Sequence, residues 1–277
     1  MKKLKLGLLA FIVTGFVACS SDDDGTSNPD PQPSTSNYFP LKTGNSWTYN
    51  NFRDLQDNST IENEETLSVE NSSEENDTKI FDLSTTQPDA GGYIGFATEV
   101  FSKANISKNQ ENLIADGNIS FEVQGLPSFE IPIENAVVYS KYENSGTELY
   151  TSTGSFTETL QGINTDINYT ITTQQEDSFD EFEAGDTTYN DVISSSVSLV
   201  AEVIIQNPFG GPFTILESQE VLKSTNYYAK DVGLIYSNTN FSYQLDLSGI
   251  PLPIEIPESN TIIETQTLLS YNVDLEE

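Results

Sequence analysis

Val197-Ser-Leu-Val-Ala-Glu-Val203 places an apolar side chain at every second residue of the stretch. A second stretch, Phe241-Ser-Tyr-Gln-Leu-Asp-Leu247, is apolar at each odd position and polar at each even position. Successive side chains of a β-strand point to opposite faces, so this period of two is typical of a strand with one buried and one solvated face. The two stretches therefore predict half-buried β-strands.

The same period continues through most of the chain from Trp47 onwards. Near the C-terminus one face carries Ile263, Leu269, Tyr271 and Val273, and the opposite face carries Glu264, Gln266, Ser270 and Asn272. Weaker strand candidates are 66–70, 79–83, 92–101, 119–124, 136–142, 148–160, 167–173, 213–223 and 226–237. We find no segment of about a dozen residues that combines a helical period with helix caps.

We expect roughly ten to twelve strands separated by Gly, Asn and Pro turns, a pattern that favours an antiparallel sheet. A flat sheet of that size would expose edges that attract other strands, so the sheet should curl or close. The predicted fold class is all-β, with a large antiparallel curved sheet that forms an open half-barrel or a barrel-like structure. A β-sandwich is the alternative.

The N-terminal segment has the layout of an export signal. Three lysines precede an apolar run, Leu6 to Val13, that is too short to cross a bilayer, and small residues stand before Cys19. This pattern resembles a bacterial lipoprotein signal peptide, in which the cysteine thiol is lipidated and becomes the first residue of the mature chain. The resemblance implies that residues 1–18 are removed and that Cys19 carries a lipid anchor.

Residues 19–37 form, by composition, a disordered acidic and proline-rich tether, and residues 38–277 form a single all-β domain. The triad Asp22-Asp23-Asp24 follows Cys19 and two serines. It resembles the export signal of Bacteroidota-type lipoproteins, which directs them to the outer face of the outer membrane. The resemblance implies a lipid-anchored protein of the outer membrane, exposed at the cell surface. The simpler interpretation of the same charges is a solvated linker.

The chain is strongly acidic, with 43 Asp and Glu against 11 Lys and Arg and a net charge of −32. Nucleic acid and anionic lipid repel such a chain, so we expect no nucleic-acid partner and membrane contact only through the lipid anchor. The charge suits a soluble cell-surface protein, or one that binds cations or a basic partner. Because Cys19 is the only cysteine, the domain must be stabilised by its core.

Two segments of the domain echo each other, each with a strand, a Gly-(Leu/Ile)-Pro turn and an apolar stretch broken by proline. Proline cannot donate to a strand ladder, so these stretches, Leu126–Ile133 and Ile250–Ile256, should lie at an edge, rim or loop. One hypothesis is that they rim a ligand cleft through four partly exposed side chains, Phe129, Ile131, Leu252 and Ile254. The alternative is that they cover the open ends of the core.

The domain also carries three spaced blocks, Phe39-Pro-Leu-Lys-Thr-Gly-Asn-Ser-Trp-Thr-Tyr49, Ala184-Gly-Asp-Thr-Thr-Tyr-Asn-Asp-Val192 and Tyr227-Tyr-Ala-Lys-Asp-Val-Gly-Leu-Ile235. They resemble blocks that recur in bacterial lipoproteins and secreted proteins of uncharacterised family, and they are similar to parts of the curved sheets of the periplasmic lipoprotein carrier and its outer-membrane receptor. The resemblance implies a carrier-like fold and attaches no activity to the blocks. Physically, Gly44 should make a tight turn, Trp47 and Tyr49 should anchor the core from one face, and Gly233 should allow a bulge or close packing.

The residue types exclude several chemistries. The chain has no histidine, which rules out Ser-His-Asp and Cys-His catalysis and histidine metal sites. The sequence has no phosphate-loop or dinucleotide fingerprint, so we expect the protein to bind no cofactor and to have no enzymatic activity. A carboxylate-only hydrolase stays open, since glycosidase chemistry needs only two acids, but no pair stands out.

The densest acidic stretch gives a weak calcium candidate made of Asp177, Asp180, Glu181, Glu183 and Asp186. Calcium takes six to eight oxygen ligands, and the stretch offers several carboxylates. The Asp-x-Asp-x-Asp-Gly spacing of a calcium loop is missing, however, and a solvated edge or loop is the favoured interpretation. We therefore predict no metal site.

The sequence thus favours binding over catalysis. In the first hypothesis the curved sheet holds an apolar or amphipathic ligand, which a continuous apolar cavity would support. In the second, the domain is a structural or interaction module for a surface protein or glycan, which a sealed core with an exposed aromatic patch would support. The third is a carboxylate-only hydrolase, which two carboxyls facing each other in a groove would support.

Overall fold

The computed structural model describes residues 37–55, 59–86, 91–109, 112–121, 129–160, 163–206, 211–248 and 257–275. These ranges contain one helix, α1 (Phe96–Lys103), and twelve strands: β1 (Ser46–Leu55), β2 (Thr60–Glu75), β3 (Thr78–Thr85), β4 (Asn105–Lys108), β5 (Asn112–Phe121), β6 (Phe129–Ser140), β7 (Glu148–Leu160), β8 (Ile163–Ala184), β9 (Thr187–Ile205), β10 (Phe213–Ala229), β11 (Gly233–Gln244) and β12 (Ser259–Asn272). The predicted all-β class is confirmed.

All twelve strands belong to one antiparallel sheet, in the order β6-β5-β4-β3-β2-β1-β12-β11-β10-β9-β8-β7. The first and last strands, β1 and β12, pair at its centre. The chain runs outward from β1 to one edge at β6, crosses to the opposite edge at β7, and returns strand by strand to β12. Residues Ser36–Glu277 form one compact unit.

The crossing between the two edges requires the sheet to curl. A flat sheet of twelve strands spaced about 4.8 Å apart would separate its edges by roughly 50 Å. The connection from β6 to β7, residues 141–147, can span at most about 25 Å when fully extended. The sheet is accordingly curled until β6 packs against β7, β8 and β9. It is nearly closed into a barrel, which is the barrel-like form predicted and not the sandwich.

Side chains bridge the line where β6 meets β7 and β8, which we call the seam. The Thr173 hydroxyl donates to the carbonyl of Val137 at 2.6 Å, and the Ser140 N–H donates to Gln175 Oε1 at 2.9 Å. These bonds satisfy edge groups of β6 that would otherwise attract another strand. Pro132 lies in this edge strand, as expected for a residue that cannot donate to a ladder.

The first and third sequence blocks meet inside the curled sheet. Trp47 is fully buried, stacks on Phe39 with ring centroids 4.9 Å apart, and donates from Nε1 to the carbonyl of Val232 at 2.6 Å. A Cβ on Gly233 would lie 2.8 Å from Trp47 Nε1, so only glycine fits there. The buried position predicted for Trp47 and the close packing predicted at Gly233 are both confirmed.

The second block joins the same end of the sheet. Val192 pairs with Ala229 in the β9–β10 ladder, and the Lys230 N–H donates to the carbonyl of Asp191 at 3.1 Å. The predicted turn at Gly44 is also present, with φ of +94° just before β1. The three blocks are therefore one structural cluster that fixes how the ends of several strands pack.

The strand predicted over 92–101 is wrong, because most of this segment belongs to helix α1. Its sequence, FATEVFSK, contains residues common in strands, so local propensity does not favour a helix. With eight residues, the helix is also too short for a helical period to be recognised in the sequence. Its stability comes from tertiary packing, since Ala97, Thr98 and Phe101 are buried among the sheet residues. Within the described ranges, no helix has the length and apolar character needed to cross a membrane.

Strand β12 alternates as predicted, but its polar side chains are the buried ones at Glu264 and Gln266, whereas Ser270 and Asn272 of the same predicted face are exposed. Glu264 and Gln266 are buried, whereas Ile263 and Leu269 are 45% and 53% exposed. The cause is α1, whose N-terminal amide groups need acceptors inside the sheet and find them on β12. By contrast, β9 and β11 bury the apolar faces that their sequences indicate.

Candidate functional site

The interior of the curled sheet holds an apolar cavity, which we call the interior cavity. Helix α1 forms one wall, and strands β5 to β10 form the others. Its volume is about 30 Å³, which is enough for a water-sized molecule and far below the roughly 300–1,000 Å³ of ligand pockets. Aliphatic and aromatic side chains dominate its surface, among them Val100, Phe101, Ile119, Ile133 and Ile171.

Side chains from the sheet hold the N-terminus of α1 inside this interior. The Phe96 N–H donates to Glu264 Oε1 at 2.5 Å, and the Ala97 N–H donates to Gln266 Oε1 at 3.0 Å. The Gly95 N–H lies 3.3 Å from both oxygens of Glu65, and the Thr98 hydroxyl donates to the same carboxyl. The first amide groups of a helix have no partner within the helix, so these acceptors replace the usual N-cap residue.

The two carboxyls at the start of α1 are in a low-dielectric setting. Burial raises the pKa of Glu65, and hydrogen bonds from Thr98 and Asn51 partly offset that shift. Burial also raises the pKa of Glu264, although its ion pair with Arg53, at 2.8 Å, acts in the opposite direction. Both carboxyls accept hydrogen bonds at the start of α1, and neither is among the residues that line the interior cavity. Their arrangement supports a clamp on the start of α1.

Three polar residues are among those that line the interior cavity. Thr173, Asn226 and Tyr228 line it together with the apolar residues. Tyr228 is fully buried, and burial raises the pKa of its hydroxyl. Neither this hydroxyl nor that of the buried Ser195 has a well-formed hydrogen bond to another described residue. Hydrocarbon nevertheless makes up almost all of the cavity surface, so a ligand there would meet chiefly apolar groups.

The predicted rim residues are only partly described. Leu252 and Ile254 lie outside the described residues, as does the side chain of Phe129. Ile131 is fully buried and pairs with Ile119 in the β5–β6 ladder. The partial exposure expected for Ile131 is therefore wrong, because its side chain belongs to the core of the sheet. The anchor and export-signal residues, Cys19 and Asp22-Asp23-Asp24, also lie outside the described residues.

The weak calcium candidate is spread along the chain. Asp177, Asp180, Glu181 and Glu183 occupy the end of β8, and Asp186 is in the turn that leads to β9. Among the described residues, no three acidic, histidine or cysteine side chains are close enough to hold a metal ion. The Asp177 carboxyl accepts a hydrogen bond from Ser145 at 2.8 Å. The structure thus does not bring the five carboxylates together.

Sequence reasoning missed most of the interior. The period of two in Ser224-x-Asn226-x-Tyr228 shows that these residues share a face, but the sequence does not show that the polar face points inward. The sequence also did not predict α1, which packs against the inside of the sheet. Glu65, Glu264 and Gln266 were missed for the same reason, since their partners are backbone amides of that helix.

Three solved structures show a remote likeness to this chain. A Bacteroides fragilis protein inferred to be exported, with a YmcC-like fold, has a TM-score of 0.37 at 12% identity and covers 86% of this chain and 99% of its own. A Parabacteroides distasonis protein inferred to be a lipoprotein has a TM-score of 0.41 at 11% identity, with the same coverage. A LolA superfamily protein from Nitrosomonas europaea has a TM-score of 0.19 at 9% identity, over 84% of this chain and 86% of its own.

The sequence matches no protein-family profile and no curated protein. At TM-scores below 0.5, the three structural likenesses carry no argument about function. The function has to be argued from the geometry of the interior.

Proposed function

We propose that the protein is a lipid-anchored envelope binding protein that holds an apolar or amphipathic ligand inside its curled sheet. The anchor is the lipidated Cys19, and the acidic triad after it directs the protein to the outer membrane and the cell surface. The domain binds its ligand and does not catalyse a reaction. The observation that carries this proposal is the interior cavity, which is lined chiefly by aliphatic and aromatic side chains.

Helix α1 is the element whose displacement would enlarge the cavity. The surrounding strands are hydrogen-bonded to their neighbours, so they hold the walls in place. Helix α1 belongs to no ladder, and it fills the interior with Val100 and Phe101. Moving an eight-residue helix costs fewer backbone hydrogen bonds than separating two strands, so a ligand enters by taking the place of these side chains.

The test is the binding of N-phenyl-1-naphthylamine, a neutral apolar dye whose fluorescence rises in apolar surroundings. The purified protein should bind the dye saturably, and Ala136→Leu should weaken binding at least tenfold, because Ala136 lines the cavity and is buried. Ala229→Leu is the matched control. Ala229 is equally buried but is not among the lining residues, so it reports the general cost of overpacking.

Equal dye binding by wild type and Ala136→Leu would contradict the proposal, as would equal losses in the two leucine variants. Both variants should first be shown to melt cooperatively, so that a lost signal reports the cavity and not unfolding.

One specific observation supports the alternative function, an interaction module. Ile263, Leu269 and Tyr271 on β12 are 45–53% exposed, and Phe52 on the neighbouring β1 is 38% exposed. Exposed apolar residues on the central strands of a sheet are typical of a contact surface. If dye binding is weakened by Leu269→Ser and not by Ala136→Leu, this second function replaces the first.

A further inference from the structure

We propose that the protein has a second binding site, a polar cavity beside the seam that takes a neutral polyhydroxylated ligand, a sugar. We call it the seam cavity. Residues 141 and 143–145 of the β6–β7 connection, residues 175–179 of β8 and residue 193 of β9 line it. Its volume is about 370 Å³, within the range of roughly 300–1,000 Å³ that is usual for ligand pockets. It shares no lining residue with the interior cavity, so this inference does not depend on the proposed function.

A β-bulge in β8 supplies two of the carboxylates of the seam cavity. The register between β8 and β9 shifts between Gln175 and Ser178, so that Glu176 and Asp177 together face the single residue Ser194. Consecutive side chains of a regular strand point to opposite faces. The bulge therefore explains how two successive carboxylates line one cavity.

Hydrogen bonds between the β6–β7 connection and β8 hold the walls together. The Gly146 N–H donates to the carbonyl of Gln175 at 2.8 Å, and the Gln175 N–H donates to the carbonyl of Thr147 at 2.9 Å. The Ser145 hydroxyl donates to Asp177 Oδ1 at 2.8 Å. The cavity is thus formed in the free protein, which lowers the ordering cost of binding a ligand.

The seam cavity offers hydrogen-bond donors and acceptors to the same ligand. Polar atoms make up most of its surface, in contrast to the interior cavity. The Lys141 ammonium lies 4.9 Å from the centre of the Tyr142 ring and forms no ion pair with a carboxylate of the described residues. Glu176 accepts a hydrogen bond from Ser196 at 2.7 Å, and its carboxylate keeps further lone pairs. A sugar hydroxyl both donates and accepts, so it can bind a carboxylate and the ammonium together.

The charges of the cavity disfavour an ionic ligand. Glu143, Glu176 and Asp177 would repel an anion, although Lys223 lies 3.9 Å from Glu176, and Lys141 would repel a cation. Among the described residues, no three acidic side chains are close enough together to hold a metal ion. A neutral ligand with several hydroxyls avoids both repulsions and still uses both kinds of group.

Two apolar side chains, Phe179 and Ile193, complete the lining. Phe179 is partly exposed, and its ring is held by Phe182 and Tyr227, with centroids 5.5 and 5.9 Å away. A sugar ring presents C–H groups that pack against an aromatic side chain, whereas an inorganic ion has no such surface. The apolar part of the cavity therefore also favours a sugar.

The experiment follows the amide NMR signals of the purified ¹⁵N-labelled protein during titration. The sugar probes are glucose, galactose, mannose and N-acetylglucosamine, and the ion probes are spermidine, calcium and sulfate. At least one sugar should shift the signals of Ser145, Gly146 and Ser178 saturably and leave those of α1 unchanged. A disaccharide of that sugar, compared with the monosaccharide, tells the end of a glycan chain from a free sugar.

Asp177→Asn should weaken binding of that sugar at least tenfold, because it keeps an oxygen for Ser145 and replaces the other acceptor with a donor. Asp177 is exposed, so the variant should melt as the wild type does. Asp180→Asn is the matched control, since it makes the same charge change in β8 at a residue that does not line the cavity.

The absence of a saturable shift at these amides with every sugar would overturn this inference. Equal losses in Asp177→Asn and Asp180→Asn would also overturn it, as would tighter binding of any of the three ions than of every sugar. Binding of N-phenyl-1-naphthylamine is measured separately. Failure of the sugar titration therefore leaves the proposed function standing, and failure of dye binding leaves the seam cavity standing.

Discussion

At the scale of single residues, Trp47 connects the first strand to the turn between β10 and β11. It is fully buried, stacks on Phe39 and hydrogen-bonds to Val232. Trp47→Ala should lower the free energy of unfolding by about 3–5 kcal/mol, because it leaves a large cavity in the core. Trp47→Phe should cost less, since it keeps an aromatic ring and loses mainly the hydrogen bond. Chemical denaturation followed by circular dichroism measures both. A loss below about 1 kcal/mol for Trp47→Ala would show that the indole is not a core anchor.

Glu65 gives the residue-scale prediction that depends on pH. Burial raises its pKa above the ordinary value of 4.5, so the folded state binds its proton more tightly than the unfolded state. The stabilisation this provides is complete below about pH 4.5 and is lost as pH rises through the raised pKa. Glu65→Gln keeps an acceptor for Gly95 and Thr98 but cannot ionise. The variant should therefore gain stability relative to the wild type as pH rises through that raised pKa.

The measurement for Glu65 is the free energy of unfolding at several values between pH 4.5 and pH 8. Glu64→Gln, at the exposed position just before it, is the matched control for the loss of one negative charge. If Glu65→Gln is less stable than the wild type at pH 8, the carboxylate is stabilised by its hydrogen bonds more than burial penalises it.

At the scale of elements, the account depends on how α1 is held against β2 and β12. A Cβ on Gly95 would lie 2.1 Å from the side-chain amide of Gln266, which is itself fully buried. Gly95→Ala should therefore displace Gln266 and break its bond to the Ala97 amide. Amide hydrogen exchange in α1 should accelerate, whereas exchange in β9 and β10 should stay slow. Gly211→Ala is the control, because a Cβ at that glycine meets nothing within 4 Å. Unchanged exchange in α1 would show that the helix does not depend on these contacts.

The elements also show how far the sequence predicts the structure. The strands are predictable because their period of two records one buried face, as β9 and β11 confirm. Helix α1 is not predictable from its own residues, since sheet side chains supply its capping groups. The burial of Glu264 and Gln266 on β12 is a consequence of that helix, so the two errors have one physical cause. Ile131 was misplaced for a different reason, because a proline at the next position marks an edge strand without exposing its inward side chains.

At the scale of the whole molecule, the curled sheet follows from strand number and chain connectivity. Twelve strands with unpaired edges favour closure, and the short connection between β6 and β7 enforces it. The seam is closed by Thr173 and Gln175, so the sheet encloses an interior without a complete ladder of hydrogen bonds. Strand count was therefore enough to predict a curved sheet. It could not predict the helix that occupies the interior.

The location of the whole molecule depends on the proposed anchor at Cys19. Cys19→Ala should release the protein from the membrane fraction or leave it unprocessed, because one thiol carries the proposed lipid. Fractionation of cells that express the two forms measures this. Full recovery of Cys19→Ala in the membrane fraction would contradict the lipid anchor.

The most direct test of the central claim is a crystal structure of the protein grown with 8-bromo-1-octanol, with the bromine located by anomalous scattering. The account predicts bromine density inside the curled sheet among residues such as Ile119 and Ile133, with α1 displaced from its position in the free protein. Bromine density on the exposed face of β12, with α1 unmoved and the interior still filled, would contradict the claim that the interior is the binding site.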